Sequence, residues 1–425
     1  MILKARYVLP VSSQPIESGA VEIRESRIVS VRRAAKHEGG APPLGGGGQS
    51  VIDCGDAIIL PGFVNAHTHL ELSHLAGRVP PAPEARPAPN RSIFVDWAAR
   101  LMSAIREAGE SAETAAESVQ RGAALSLAAG VTALGDITRK PAWTRPVLSH
   151  GRLRVVSFGE VIAIGALRGR LDERLAAAVD ATQDTERLTA AISPHAPYSC
   201  DRRAIRGCVK AASQRRLRLC MHLAETLDEG TCTLRGEGPL VDFIRWQGVW
   251  DDAVKPPGLR PVAYAAELGV LSPRTVLAHV NYVSDEDIAL IARGGAHVAY
   301  CPRTHAAFGH PPHRFREMLR AGINVCVGTD SLASNPSLSV LDELRFLLRG
   351  FDDLDPHLLL EMGTLRGAQA LGIGDQIGSL EAGKDADVAI IPCDPSGPRD
   401  PCQNLLRSEY GPAQVYVAGR AALHR

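Results

Sequence analysis

The sequence predicts an α/β fold: a (β/α)8 barrel of the TIM type with a small β-sandwich built from both chain ends. Three observations carry that prediction. Eight strand-like runs punctuate the middle of the 425-residue chain, and helical patterns separate most of them. Both ends carry turn–strand patterns of one style. Histidines and carboxylates gather at the ends of the strand runs, where barrels of this kind place their chemistry.

The elements follow in chain order. Val21–Arg33 alternates apolar and polar residues around a turn, the mark of a half-buried hairpin. Gly39–Gly48 is a Gly/Pro loop, and Val51–Gly62 resumes strand character. The eight runs then fall at Gly62–Ala66, Val131–Asp136, Leu153–Val161, Leu188–Ser193, Leu217–Leu223, Thr275–Val280, Ala296–Cys301 and Ile323–Gly328. Ile93, Trp97, Leu101 and Ile105 recur every four residues and paint one helix face. Ser284 can cap the helix that follows the sixth run, with Gly294 ending it, and Ser337–Gly350 repeats that logic. Gly378–Ile391 and Ala413–Leu423 return to turn–strand patterns. The division expected is a composite β-sandwich of residues 1–58 and 375–425 around a barrel of residues 59–374. Two unrelated β appendages, and a doubly wound open sheet in the middle, are the structural alternatives.

Composition narrows the function. Apolar residues make up 45% and charged residues 22%, an ordinary globular balance. Lys+Arg and Asp+Glu are both 47, so the basic footprint of a nucleic-acid binder is missing. No apolar run approaches the ~20 residues of a membrane span. The N-terminal stretch MILKARYVLP has no long apolar core, and a cytoplasmic location is expected. The nine cysteines form no CxxC pair. Cys54, Cys220, Cys301 and Cys326 sit in apolar runs and read as free buried thiols, which disfavours zinc held through cysteine.

His67 and His69 stand two apart at a strand end, so both imidazoles can face one cation. His222 ends another run, and Asp330 ends the run INVCVGTD. Taken singly, each has a plain alternative as a packing histidine or a helix cap. Together the four supply three neutral nitrogens and one anion, a set suited to Zn2+, or to Fe2+, with an open position for water. No lysine stands at a mid-barrel strand end to bridge a second ion, which favours one metal. Glu225, three residues past His222, can move a proton to and from a reacting water. His279, ending TVLAH, can hydrogen-bond that water and stabilise developing charge. His195, held between Pro194 and Pro197, is assigned to substrate contact. Glu160 and Arg303 stand at further strand ends as substrate-contact candidates, and Asp136 is a weaker one.

The segments PGFVNAHTHLE, SPHAPYS, MHLAET, LAH, CPRTH and GTDSLASN resemble the amidohydrolase superfamily. More narrowly they are similar to its deaminase branch, which includes S-adenosylhomocysteine, guanine and aminodeoxyfutalosine deaminases and the triazine hydrolases. The tail GSLEAGKDADVAII matches the family's returning β unit, so the resemblance spans nearly the whole chain. It implies a mononuclear site with His67, His69, His222 and Asp330 as ligands. It also implies Glu225 as proton shuttle, His279 beside the water and His195 on the substrate. The implied reaction is attack of water on an amidine-like ring carbon with loss of ammonia. HTHLELS and NPSLSVLDELR look closest to the aminodeoxyfutalosine type, which implies a small heterocyclic nucleoside from a menaquinone route. CPRTHAAFGH departs from the branch's more usual Asn-bearing motif after the seventh strand. Another leaving group on a heterocycle, chloride or an alkylamine, is the alternative. A ribose-binding acid is expected near the first-helix loop Val79–Trp97, with Glu84 or Asp96 as candidates, and the Pro-rich loop itself reads as a lid. A homodimer is what such family members commonly form.

Overall fold

The computed structural model describes residues 1–34, 50–81 and 92–424. The Gly39–Gly48 loop, Glu84 and the 82–91 stretch of the Pro-rich loop lie outside the described residues. The chain divides into two compact units. One comprises Met1–Asn65, Ala124–Ala133 and Ser339–Arg425, and the other Ala66–Ala123 and Leu134–Leu338.

The first unit holds the strands of the chain ends. These are Ile2–Val8 (β1), Ile16–Arg24 (β2), Arg27–Arg33 (β3), Val51–Asp53 (β4) and Ala57–Pro61 (β5) from the N-terminal end. Val388–Pro392 (β14), Gln414–Val417 (β15) and Arg420–His424 (β16) come from the C-terminal end. They share one mixed sheet in the order β16-β15-β14-β5-β1-β2-β3, with β4 also on β1. The ends meet where β14 runs antiparallel to β5, Ile390 opposite Ile59. The β2–β3 hairpin pairs Arg24 with Arg27 across Glu25, whose φ of 54° supplies the tight reversal. Leu3, Val21, Ile23, Ile28, Ile59, Val388 and Ile390 pack into one apolar core, which is why the alternating positions alternate. The helix Val340–Gly350 belongs to this unit. Its cap is Ser339, which accepts from Asp342 N, rather than the Ser337 expected from the sequence. The cap must directly precede the first helical residue, here Val340.

Between β5 and β14 run the eight strands of the barrel. They are Phe63–Thr68 (β6), Val131–Thr138 (β7), Arg154–Val161 (β8), Leu188–Pro194 (β9), Leu219–Leu223 (β10), Thr275–His279 (β11), His297–Tyr300 (β12) and Val325–Val327 (β13). They lie side by side in sequence order from β6 to β13. The parallel register sets His222 beside Ala278, and Leu223 beside His279. Nearly every residue of these strands is buried, so they read as continuous apolar runs rather than alternating ones. A parallel bridge between Thr68 and Asp330 joins the first strand to the end of the last. There Thr68 Oγ1 donates to the Asp330 carbonyl at 2.8 Å, and the amides of Thr329 and Asp330 both donate to the His67 carbonyl at 3.1 Å. Gly328 permits this approach, because a Cβ there would meet the His67 carbonyl oxygen at 2.9 Å.

Helices alternate with these strands. Ile93–Ala108 starts at Ser92, whose Oγ accepts from Val95 N at 3.2 Å. Asp285–Gly294 starts at a reciprocal capping box of Ser284 and Asp287, and Gly295 ends it at φ 73°. All nine thiols are free; Cys54 is half-buried and the other eight are buried. Among the described residues no helix is long and apolar enough to cross a membrane.

Candidate active site

The eight strand ends gather most of the singled-out residues within the second unit. His67 lies in β6 and His69 just beyond it, His222 in β10, His279 at the end of β11, and Asp330 three residues past β13. Asp330, His279, Val280 and Ala224 all have positive φ, at 56°, 70°, 57° and 51°. Non-glycine residues rarely adopt that region, and the chain turns sharply where these strands end.

Four donors converge. His69 Nε2 stands 3.2 Å from His222 Nε2. Asp330 Oδ1 lies 3.5 Å from His69 Nε2 and 3.8 Å from His67 Nε2. His222 Nδ1 faces the His195 carbonyl at 3.0 Å, which makes Nδ1 the protonated nitrogen and turns the Nε2 lone pair inward. His67 Nε2 is buried and has no hydrogen-bond partner. Burial first, then the neighbouring imidazoles, holds His67 well below the usual histidine range, and burial does the same to His69. Burial pushes the Asp330 carboxyl up to about 7, opposed by the Ser334 hydroxyl and the Ser331 amide. Three neutral imidazoles, one of them with an orphaned buried nitrogen, and a carboxylate destabilised by burial fit one divalent cation.

Glu225 and His279 face each other beside this cluster, Oε1 to Nε2 at 3.5 Å. Both are buried. Burial, reinforced by the Asp330 and Glu229 carboxylates, raises the Glu225 carboxyl well above its usual range. Burial lowers His279, and the His222 and His69 imidazoles add to this. His195 lies within the group, its Nε2 3.9 Å from Glu160 Oε1 and its Nδ1 2.6 Å from Ser199 Oγ. Burial lifts the Glu160 carboxyl to about 7.

A cavity of about 1040 Å³ opens over the cluster, with His69, His195, His222, Glu225, His279 and Asp330 among its lining residues. Phe94, Trp97, Leu240 and Ile244 form part of its apolar wall. Glu160 lines it as well. Arg303 and Asp96 are not among the lining residues; Arg303 instead donates to Ser337 Oγ at 2.8 Å. Asp136 is fully buried, with Oδ1 accepting from Leu70 N at 2.9 Å.

Sequence reasoning passed over the groups behind these side chains. Ser334 donates to Asp330 Oδ2. His313 Nε2 donates to the His279 carbonyl at 2.9 Å. Arg139 Nε pairs with Glu71 Oε1 at 2.7 Å on the cavity wall. Glu229 accepts from the Ala224 and Glu225 amides at 3.0 and 2.9 Å. Only spacing hinted at them: Ser334 and Glu229 each stand four residues past Asp330 and Glu225.

Comparison with known proteins places this arrangement. The 5-methylthioadenosine/S-adenosylhomocysteine deaminase of Moorella thermoacetica is 29% identical over 409 residues, 92% of this chain and 85% of that protein. Among solved structures, the Helicobacter pylori aminofutalosine deaminase has a TM-score of 0.83 at 21% identity, covering 99% of this chain and 100% of its own. An adenosine deaminase from Xanthomonas campestris with bound zinc has a TM-score of 0.80 at 24% identity, covering 100% of this chain and 92% of its own. Both structures share the fold. Residues 58–422, which hold all eight barrel strands together with β14 and β15, match the model of the Amidohydrolase family, and the chain belongs to that family as a hydrolytic enzyme of C–N bonds.

Proposed function

We propose that this protein is a zinc-dependent deaminase of adenosine-type nucleosides, replacing the exocyclic amino group of the purine by oxygen and releasing ammonia. The observation that carries the reading is the Glu225–His279 pair, 3.5 Å apart beside the four-donor cluster and open to the cavity. His67, His69, His222 and Asp330 would hold the ion. A divalent zinc there supplies a Lewis acid that makes water nucleophilic at neutral pH. Glu225 takes a proton from the attacking water and delivers it to the leaving amine; its raised carboxyl suits both halves of that transfer. His279 hydrogen-bonds the attacking water and stabilises the charge that develops on its oxygen as it adds to the ring carbon. His195 and Glu160, together at the cavity wall, contact the ring. The products are the ring carbonyl and ammonia, which balances one water consumed.

The relative named for 5-methylthioadenosine and S-adenosylhomocysteine supports a nucleoside modified at its 5′ position. The apolar wall beyond the donor cluster offers room for such a substituent, and aminodeoxyfutalosine belongs to the same chemical class. The test is ammonia release by metal-quantified protein from aminodeoxyfutalosine, S-adenosylhomocysteine, 5-methylthioadenosine, adenosine and guanine, with a chloro-triazine alongside. Ammonia from a 5′-substituted adenosine is expected. Chloride from the triazine with no ammonia from any nucleoside would replace this reading by hydrolysis of another leaving group.

A further inference from the structure

Glu229 is fully buried on the helix Leu227–Arg235, with no cation paired to it among the described residues. Its two carboxylate oxygens divide between consecutive amides. Oε1 accepts from Ala224 N at 3.0 Å and Oε2 from Glu225 N at 2.9 Å. Those amides point the same way because Ala224 turns left-handed, at φ 51°, just after β10 ends at Leu223. Successive N–H groups in such a turn form a concave anion site, and here the anion belongs to the chain itself. On the far side, Asn281 Nδ2 donates to the Glu225 carbonyl at 3.0 Å, and the Asn281 and Tyr282 amides donate to the Ala224 carbonyl. The peptide carrying Glu225 is thus gripped from both faces.

We propose that Glu229 is a positioning residue, which holds the Ala224–Glu225 turn so that the Glu225 carboxyl stays aimed at the reacting water and leaving group. The proposal rests on the proton-transfer role given to Glu225 above. Glutamine at 229 keeps the shape but places an NH2 against one of the two amides, so the turn must open. A small displacement at a reacting group lowers turnover by up to ~100-fold.

The experiment is a double-mutant cycle on the metal-loaded enzyme with whichever substrate it hydrolyses, joined to amide hydrogen exchange over residues 219–226. Glu229→Gln should lower kcat by roughly 10- to 100-fold with KM and metal content nearly unchanged. In the Glu225→Gln background the same change should cost nothing further, because its only route of action is gone. The 219–226 amides should exchange faster in Glu229→Gln, a readout that needs no substrate. Equal losses in both backgrounds, or unchanged exchange, overturns the proposal. Faster exchange with no nucleoside turned over by the wild type leaves the clamp standing and sinks the deaminase reading alone. Should Glu229→Gln not fold, Glu229→Asp keeps the charge but reaches less far, and a wild-type kcat in that variant also overturns the proposal.

Discussion

His69 Nε2 and His222 Nε2 stand 3.2 Å apart, although 153 residues separate them in the chain. His222 directs its protonated Nδ1 at the His195 carbonyl, so its Nε2 brings a lone pair to this contact. Two nitrogens bound tetrahedrally at about 2.0–2.1 Å would be about 3.3–3.4 Å apart. The imidazoles are therefore arranged for a shared cation. His69→Ala should lose metal by more than about 100-fold in affinity, beyond what removal of an outer partner does, and activity should fall with it. Metal analysis after dialysis against a chelator gives the answer, and a fully loaded, active His69→Ala would remove His69 from the ligand set.

Glu225→Gln asks a different question of the same site. Glutamine has the shape of glutamate but cannot accept and return a proton. Metal content should stay at wild-type level while kcat falls by about 100- to 10,000-fold. Steady-state kinetics with metal quantified on the same sample separates the two effects. Full turnover would assign the proton transfer elsewhere.

His313 offers a pH test away from the donor cluster. It is buried behind His279, and burial lowers it from 6.5 to about 3. A histidine held neutral in the fold but free to charge when unfolded leaves stability intact above pH 6.5, where both states are neutral. That stability is lost as pH falls below 6.5, at about 1.4 kcal/mol per pH unit. Glutamine at 313 can still donate to the His279 carbonyl but does not titrate. The stability of wild type minus that of His313→Gln should therefore decline as pH drops from 6.5 toward 4. Denaturant melts across that range measure it, and a pH-independent difference would refute the assignment.

Arg145 is 2% exposed, and no carboxylate pairs with it among the described residues. Its guanidinium instead donates to the carbonyls of Ser157, Ala177, Ala178, Asp180 and Ala191 and to the Ser157 hydroxyl. Three of those carbonyls lie at or just past the C-terminal end of the helix Leu171–Ala178, where a cation is favoured. Arg145→Met fills similar space but strands these acceptors, at a cost of about 3 kcal/mol or more. The variant should shift the urea midpoint downward without changing metal content. A midpoint within error of wild type would show that the carbonyls find other partners.

The barrel strands were legible because parallel strands covered on both faces must be apolar throughout. The eight runs read from the sequence coincide with β6 to β13 to within two residues at either end. His67, His69, His222, Glu225, His279 and Asp330 could be picked out because each interrupts or follows such a run with a group that an apolar strand does not need. Arg303 met the same description, yet its side chain turns to Ser337. Position along a strand end does not fix the direction of a long side chain. Glu229, Ser334 and His313 act on backbone groups or on other side chains, and those partners exist only after the turns have formed. The cap at Ser339 was misplaced because serines stand at both 337 and 339, and only the backbone decides which one meets the first free amide.

The bridge from Thr68 to Asp330 spans 262 residues of sequence. During synthesis β6 emerges early and must wait, its partner on one side missing, until the eighth strand arrives. Contacts of such long range are slow to form, and exposed strand edges invite association with other chains in the interval. A ribosome stalled before residue 330 would leave a chain with an open sheet edge and three of the four convergent donors. Ring closure and completion of the donor set are one event, so a chain that has matured to bind its ion has also passed the most hazardous stage of its folding.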